Sequence, residues 1–99
     1  MDRIPNRPAH LGEVLREEFL VPLGMSAGAL AKRLNVPRTR IERLVSETTA
    51  MTPDTALRLG KFFATSPEFW MNLQTAFDLT AQSQTMREEI AAIEEMRAA

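Results

Sequence analysis

The 99-residue chain has no cysteine, which excludes a disulfide framework, a thiolate metal site and a catalytic thiol. No apolar run approaches the roughly 18–20 residues of a membrane span. The opening MDRIPNRPAH also lacks the apolar core of a signal peptide, so the cytoplasm is the expected compartment. The one histidine, His10, has no ligand cluster around it and reads as a cap or an exposed ring at a helix start. The acid pairs Glu17-Glu18, Glu88-Glu89 and Glu94-Glu95 point about 100° apart on a helix and do not converge on one substrate. With no nucleophile–base pair, metal cluster or phosphate-cradling glycine loop, neither an enzyme nor a cofactor is expected. Strand alternation and internal repeats are missing too, which leaves an all-α reading. The hydrophobic share of 44% and charged share of 25% are those of an ordinary globular protein of one domain.

The formal charge of −1 hides a polarity along the chain. Residues 1–50 carry eight basic groups against six acids, and residues 51–99 carry four against seven. Between residues 32 and 43 there are five basic groups, with Glu42 the only acid.

Residues 1–9, with Pro5 and Pro8, read as an extended arm. Leu11, Val14, Leu15 and Phe19 share one face of a first helix that is expected to end before Pro22. Ser26 is a good cap for a second helix over 27–34, with Met25 placed to staple onto Leu30. Leu30, Ala31 and Leu34 form the inward face of that helix. Asn35 suits the left-handed closing position, Val36 turns inward and Pro37 restarts a helix through about Val45. Thr52-Pro53-Asp54 and Ser66-Pro67-Glu68 are matching helix starts. The helix over 53–63 is expected to bury Ala56, Leu57, Leu59 and one of Phe62 and Phe63. The next presents Phe69, Trp70, Leu73, Ala76, Phe77 and Leu79. Residues 80–85 either continue that helix or break it. Met86, Ile90 and Ile93 then form a narrow apolar stripe among glutamates, an acidic amphipathic helix over 80–99.

The third helix breaks a physical rule. Helix N-termini favour acids by ~0.3–1 kcal/mol each, yet this one opens Pro37-Arg38-Thr39-Arg40-Ile41-Glu42-Arg43. An Arg38–Glu42 pair relieves only a few tenths of a kcal/mol, and a misfit of this kind points to a polyanion. On a helical wheel with Arg38 at zero, Ile41, Leu44 and Val45 average about 290°, which puts the exposed pole near about 110°. Thr39 and Arg43 sit almost on that pole, and Arg38 and Arg40 flank it. Readers at the centre with phosphate clamps at the sides is the layout a major groove requires. Two short helices joined by a three-residue turn also have helix-turn-helix spacing.

Residues 26–45, SAGALAKRLNVPRTRIERLV, resemble the helix-turn-helix of the phage-repressor-like (XRE) regulators. RPAHLGEVLREEFLVPLG at 7–24 and TPDTALRLGKFFATSPEFWMNLQ at 52–74 are similar to the HigA-type antitoxins, the plasmid-maintenance antidote proteins. The likeness spans about 7–79. It implies a five-helix phage-repressor-like domain over 10–79, a homodimer on a palindromic operator, and a RelE-like mRNA-cleaving toxin as protein partner. By position it implies base reading by Arg38, Thr39 and Arg43, and backbone contacts by Ser26, Ala27, Lys32 and Arg40. Three departures stand out. Ala27 replaces a polar residue common in relatives, Asn35 replaces the usual turn glycine, and Ser46-Glu47-Thr48-Thr49 replaces a commoner Asn-Gly-Lys/Arg stretch.

One subunit supplies one reading helix, and palindromic half-sites lie ~34 Å apart, so a two-fold dimer is required. Phe69, Trp70, Leu73 and Phe77 on the fifth helix, extended by Met86, Ile90 and Ile93, are the candidate seam; the last three are equally candidates for docking the toxin. Two rival readings stay open: a stand-alone XRE-type regulator without a toxin, and a protein-binding module that has lost DNA binding.

Overall fold

The computed structural model describes residues 9–96, so the expected arm lies outside the described residues apart from Ala9. Among the described residues every regular element is a helix, and none is long and apolar enough to cross a membrane. The first, α1 (residues 11–23), starts on His10, whose Nδ1 accepts the Gly12 N–H at 2.9 Å. Its middle turn, Leu15–Leu20, is wound as a π-helix, and it continues through Val21–Leu23. The expected stop before Pro22 is therefore corrected: the helix runs past it and ends at Gly24 with φ 61°. A proline inside a helix has no N–H for the carbonyl four residues back and crowds it; the wider winding just upstream is where the backbone takes up that change. The same winding brings Leu20 into the core beside Leu11 and Leu15 and leaves Phe19 half-buried.

Then follow α2 (Ala27–Leu34), α3 (Arg38–Val45), α4 (Pro53–Phe63), α5 (Pro67–Thr85) and α6 (Arg87–Ala91). Three of these starts are capped as their sequence predicts. Ser26 accepts the Ala29 N–H at 3.0 Å, Thr52 accepts that of Thr55 at 3.4 Å, and Ser66 accepts that of Phe69 at 3.1 Å. Asn35 closes α2 with φ 61°. Leu11, Leu15, Leu30, Ile41, Leu59 and Trp70 are fully buried at the centre. Each of the larger side chains stabilises the fold by roughly 1.5–3 kcal/mol through loss of apolar surface from water.

Four residues expected on inward faces are exposed instead: Leu57 at 60%, Leu79 at 65%, Phe69 at 38%, and Ala76. The inward face of α4 is Thr55, Ala56, Leu59 and Gly60. A Cβ on Gly60 would lie 2.9 Å from the Thr65 carbonyl oxygen, so α4 and the turn into α5 touch backbone to backbone. Leu57, turned about 100° from Ala56, looks away. Phe62 and Phe63 are both half-buried, and form an aromatic cluster with Phe19, Phe69 and Trp70. Polar groups inside are satisfied. The Trp70 indole donates to Thr65 at 2.8 Å, and the Gln74 carbonyl accepts the Met51 N–H at 2.6 Å.

Helix α5 carries on without a break through residues 80–85. The acidic stripe is only partly helical: α6 ends at Ala91, and Ile93 lies beyond it, 70% exposed. The molecule measures 55 × 30 × 22 Å with a radius of gyration of 16.7 Å. A compact domain of this length would have about 13 Å, and the excess reflects the projecting end of α5 and α6.

Ala64 ends α4 with φ 57° and is exposed. A left-handed Cβ crowds the following carbonyl at ~1–2 kcal/mol, more than the backbone entropy a glycine costs. Ala64→Gly is expected to raise stability by about 0.5–1 kcal/mol and the thermal midpoint by several degrees. A lowered midpoint in a calorimetric scan would contradict this reading of the turn.

Candidate nucleic-acid interface

Helix α3 has only eight residues, too few to hold its shape in water unaided, so its neighbours set its position. Ile41 and Leu44 fix the inner face with 0% and 2% exposure, and Val45 is half-buried. At its C-terminal end α1 comes close: a Cβ on Gly12 would fall 2.0 Å from the Leu44 carbonyl oxygen. The Arg16 guanidinium donates to the Val45 carbonyl oxygen and pairs with Glu47 at 3.3 Å and Glu17 at 3.1 Å. A cation here satisfies a free carbonyl and complements the negative end of the helix dipole. Its pKa is raised, first by the hydrogen bond to Glu17, so Arg16 stays charged throughout the accessible pH range.

The chain then leaves α3 through a left-handed residue, Glu47, with φ 65°. The Glu47 N–H reaches the Leu44 carbonyl at 3.1 Å and the Thr48 N–H reaches that of Arg43 at 2.9 Å, the paired bonds of a Schellman closure. Ser46 and Thr48 hydroxyls both donate to the Arg43 carbonyl at 3.1 Å. The Glu47 carboxylate is drawn toward Arg16.

With the C-terminal end tied down, the other end of α3 projects. Pro37 supplies no side-chain cap, so the first N–H groups of the helix face solvent. Thr39 and Arg43 are exposed on the outward ridge, with Arg43 in no ion pair among the described residues. On one side of the ridge a hollow of about 580 Å³ is lined by Ser26, Gly28, Lys32 and Arg38. The Arg38 stem lies over Gly28, where a Cβ would meet its Cδ at 2.9 Å, and its head pairs with Glu42 at 3.2 Å. On the other side a hollow of about 310 Å³ is lined by Arg40, Thr49, Thr52 and Asp54.

Arg40 has a partner that sequence spacing does not reveal. It pairs with Asp54 at 2.7 Å, which also accepts from Arg58 at 2.7 Å, while Arg58 donates to the Leu34 carbonyl at 2.7 Å. Asp54 is held below the ordinary carboxylate range, first by the hydrogen bond from Arg58 and then by that from Arg40. A depressed carboxylate contributes above its unfolded pKa and loses that contribution as pH falls through the folded one. This link between α3 and α4 is therefore intact at neutral pH and is withdrawn only in strong acid.

The structure thus brings Arg38, Thr39 and Arg43 onto one exposed surface and places Ser26 and Lys32 beside them. Ala27 is half-buried and packs on the core, so its methyl group offers no polar contact. Of the candidate seam, Trp70 is fully buried and has no surface to present. Leu73 and Phe77 are half-buried, and Phe77 packs edge-on against the buried His10 ring at 4.9 Å. Phe69 is 38% exposed, Met86 is half-buried, and Ile90 and Ile93 are 50% and 70% exposed. Sequence reasoning missed Gly12 and Arg16 as the groups that hold α3.

Residues 15–70 match the helix-turn-helix family. The chain is 51% identical over 75 residues to virulence-associated protein I of Dichelobacter nodosus, spanning 76% of this chain and 69% of that protein. It is 35% identical over 89 residues to antitoxin HigA-1 of Vibrio cholerae, spanning 90% and 84%. The solved Pseudomonas aeruginosa antitoxin HigA with the higBA promoter superposes with a TM-score of 0.87 at 39% identity, covering 92% of this chain and 100% of that one. The chain belongs to the HigA antitoxin family. HigA proteins are helix-turn-helix antitoxins and not enzymes, and the all-α, five-helix domain with a helical extension is the architecture the sequence predicts.

Gly12→Ala tests how α3 is held. Overpacking typically costs 1–3 kcal/mol, and here the obstruction is backbone, which cannot swing aside. The variant is expected to lose at least about 2 kcal/mol in urea unfolding; an unchanged midpoint would show that α1 does not brace α3.

Proposed function

We propose that this chain is the antitoxin of a type II toxin–antitoxin module: a homodimer that binds a palindromic operator at its own promoter and neutralises a RelE-like, mRNA-cleaving toxin. Cytoplasmic action follows from that role. The reading is carried by the α3 surface, a ridge of Thr39 and Arg43 with a basic hollow holding Lys32 and Arg38 on one side and the paired Arg40 on the other. It is supported by the promoter-bound state of the Pseudomonas aeruginosa relative.

The mechanism is occupancy, with no bond made or broken. Helix α3 enters the major groove, where Arg43 and Arg38 offer bidentate donors to guanine and Thr39 offers its methyl group to thymine. Ser26 and Lys32 clamp phosphates on the α2 side. Arg40 serves the opposite strand, exchanging the Asp54 carboxylate for a phosphate, so its net gain is smaller than that of a free cation. Glu47 is the residue that favours a module without DNA binding, and its pairing with Arg16 turns that charge toward α1.

The second reading head comes from a second copy. On α5 the exposed positions Asn72, Thr75, Ala76, Leu79 and Ser83 recur at helical spacing. They form a narrow stripe of small side chains around Leu79, suited to close packing against the same helix of a partner. We place the seam on this stripe, continued by Met86, rather than on the buried aromatic residues. The 80–96 extension belongs to the seam in this reading.

Arg43→Ala is expected to weaken binding to a promoter fragment by ~1–3 kcal/mol and to relax preference at one base position. Lys32→Ala should weaken binding to every sequence alike and lower the slope of log K against log salt by about one. Fluorescence anisotropy across a salt series separates the two effects. Equal loss on operator and random DNA for Arg43→Ala would remove it from the readers.

A further inference from the structure

Away from α3, between the end of α2 and the outer face of α4, lies a groove of about 360 Å³ with a mostly apolar floor. Leu57 and Phe62 line it, with Arg33, Arg58 and Lys61 at the rim. Arg33 stacks over the Phe62 ring at 4.9 Å, and Arg58 is committed to Asp54 and Leu34. Lys61 has no ion-pair partner among the described residues. A leucine 60% exposed at the floor of a cationic groove is an unpartnered apolar face with a defined charge requirement. A segment that fits it carries aliphatic side chains flanked by carboxylates.

The chain itself holds such a segment. Residues 87–96 leave Ile90, Ile93 and Met96 50%, 70% and 95% exposed, set among Glu88, Glu89, Glu94 and Glu95. Its helical part, α6, packs against the end of α5, and the chain is elongated to 55 Å along one axis. Helix α5 is about 28 Å long. Pairing two α5 helices antiparallel around Ala76 and Leu79 sets position 86 of one copy beside position 69 of the other, and position 90 beside position 65. The next turn reaches the corner between α4 and α5, where Phe69, Phe62 and Lys61 lie. Nothing comparable brings a copy's own tail back along α5 to that corner.

We propose that in the dimer the 87–96 segment of each copy crosses the two-fold axis and lies in the α2–α4 groove of the other. Its isoleucines cover Leu57 and Phe62, and its glutamates face Lys61 and Arg33. The inference rests on the α5-paired dimer proposed above. It assigns the acidic tail to a second copy rather than to a toxin, and it makes each domain incomplete without its mate.

The absence of native cysteine permits a direct test. Leu57→Cys and Ile93→Cys, both at exposed positions, are prepared as two separate full-length proteins, one carrying a mass tag. They are mixed and oxidised with glutathione disulfide, while light scattering reports the oligomeric state. The expected result is a dimer in which the mixed 57–93 disulfide exceeds either homodisulfide at least tenfold. A dimer giving no excess of the mixed disulfide overturns the groove assignment and leaves the paired α5 helices standing. Ready closure within a monomer of the chain carrying both cysteines assigns the groove to the chain's own tail and also overturns it. A chain monomeric at all micromolar concentrations removes the dimer reading, and the tail exchange with it.

Discussion

Everything functional in this molecule depends on a helix of eight residues being held at one end so that the other projects. Hydrogen bonding alone does not keep α3 folded. Ile41 and Leu44 sink into the core, Gly12 lets α1 approach the Leu44 carbonyl, and Arg16 meets the Val45 carbonyl and the carboxylate of Glu47. The C-terminal end is thereby tied to α1 and to the core. The N-terminal half, which carries Arg38 and Arg40, has no side-chain cap, and its outer face, continued by Thr39 and Arg43, is exposed.

That asymmetry reconciles two demands that conflict in sequence. Arginines at a helix start oppose the dipole, and the fold compensates locally. Glu42 takes Arg38 and Asp54 takes Arg40, both at the surface where solvent screening keeps such pairs weak. Pairs that weak are exchanged readily for a phosphate. Arg43 lies furthest from the helix start and needs no such partner. The pairs leave the cations available, and the charge polarity of the chain matches: basic around α3, acidic in the tail.

Much of this was legible in the residues. The capping hydroxyls of Ser26, Thr52 and Ser66, the left-handed Asn35 and the wheel of α3 are local features, set by neighbours within four positions, and the structure reproduces them. What was not legible depends on contacts across the fold. Leu57 and Leu79 have core chemistry but point outward, because α4 and α5 bury faces narrowed by Gly60 and by the polar Gln74. The π-wound turn moves Leu20 inward and lets α1 pass Pro22, a shift in period that hydrophobic spacing cannot signal. Arg16 is an ordinary surface residue until Val45, 29 positions away, arrives beside it. The glycine at position 12, two residues after a capping histidine, was the one available sign of a close backbone approach.

On the function proposed above, the exposed face of α3 reads a major groove, twice, one helical turn apart. Dimethyl sulfate protection on the chain's own promoter tests it most directly, because the reagent methylates guanine N7 on the major-groove edge. Protected guanines are expected in two symmetric clusters centred about 34 Å apart, with the protection lost together at both when α3 is altered. Promoter binding that leaves every guanine N7 as reactive as in free DNA would contradict it.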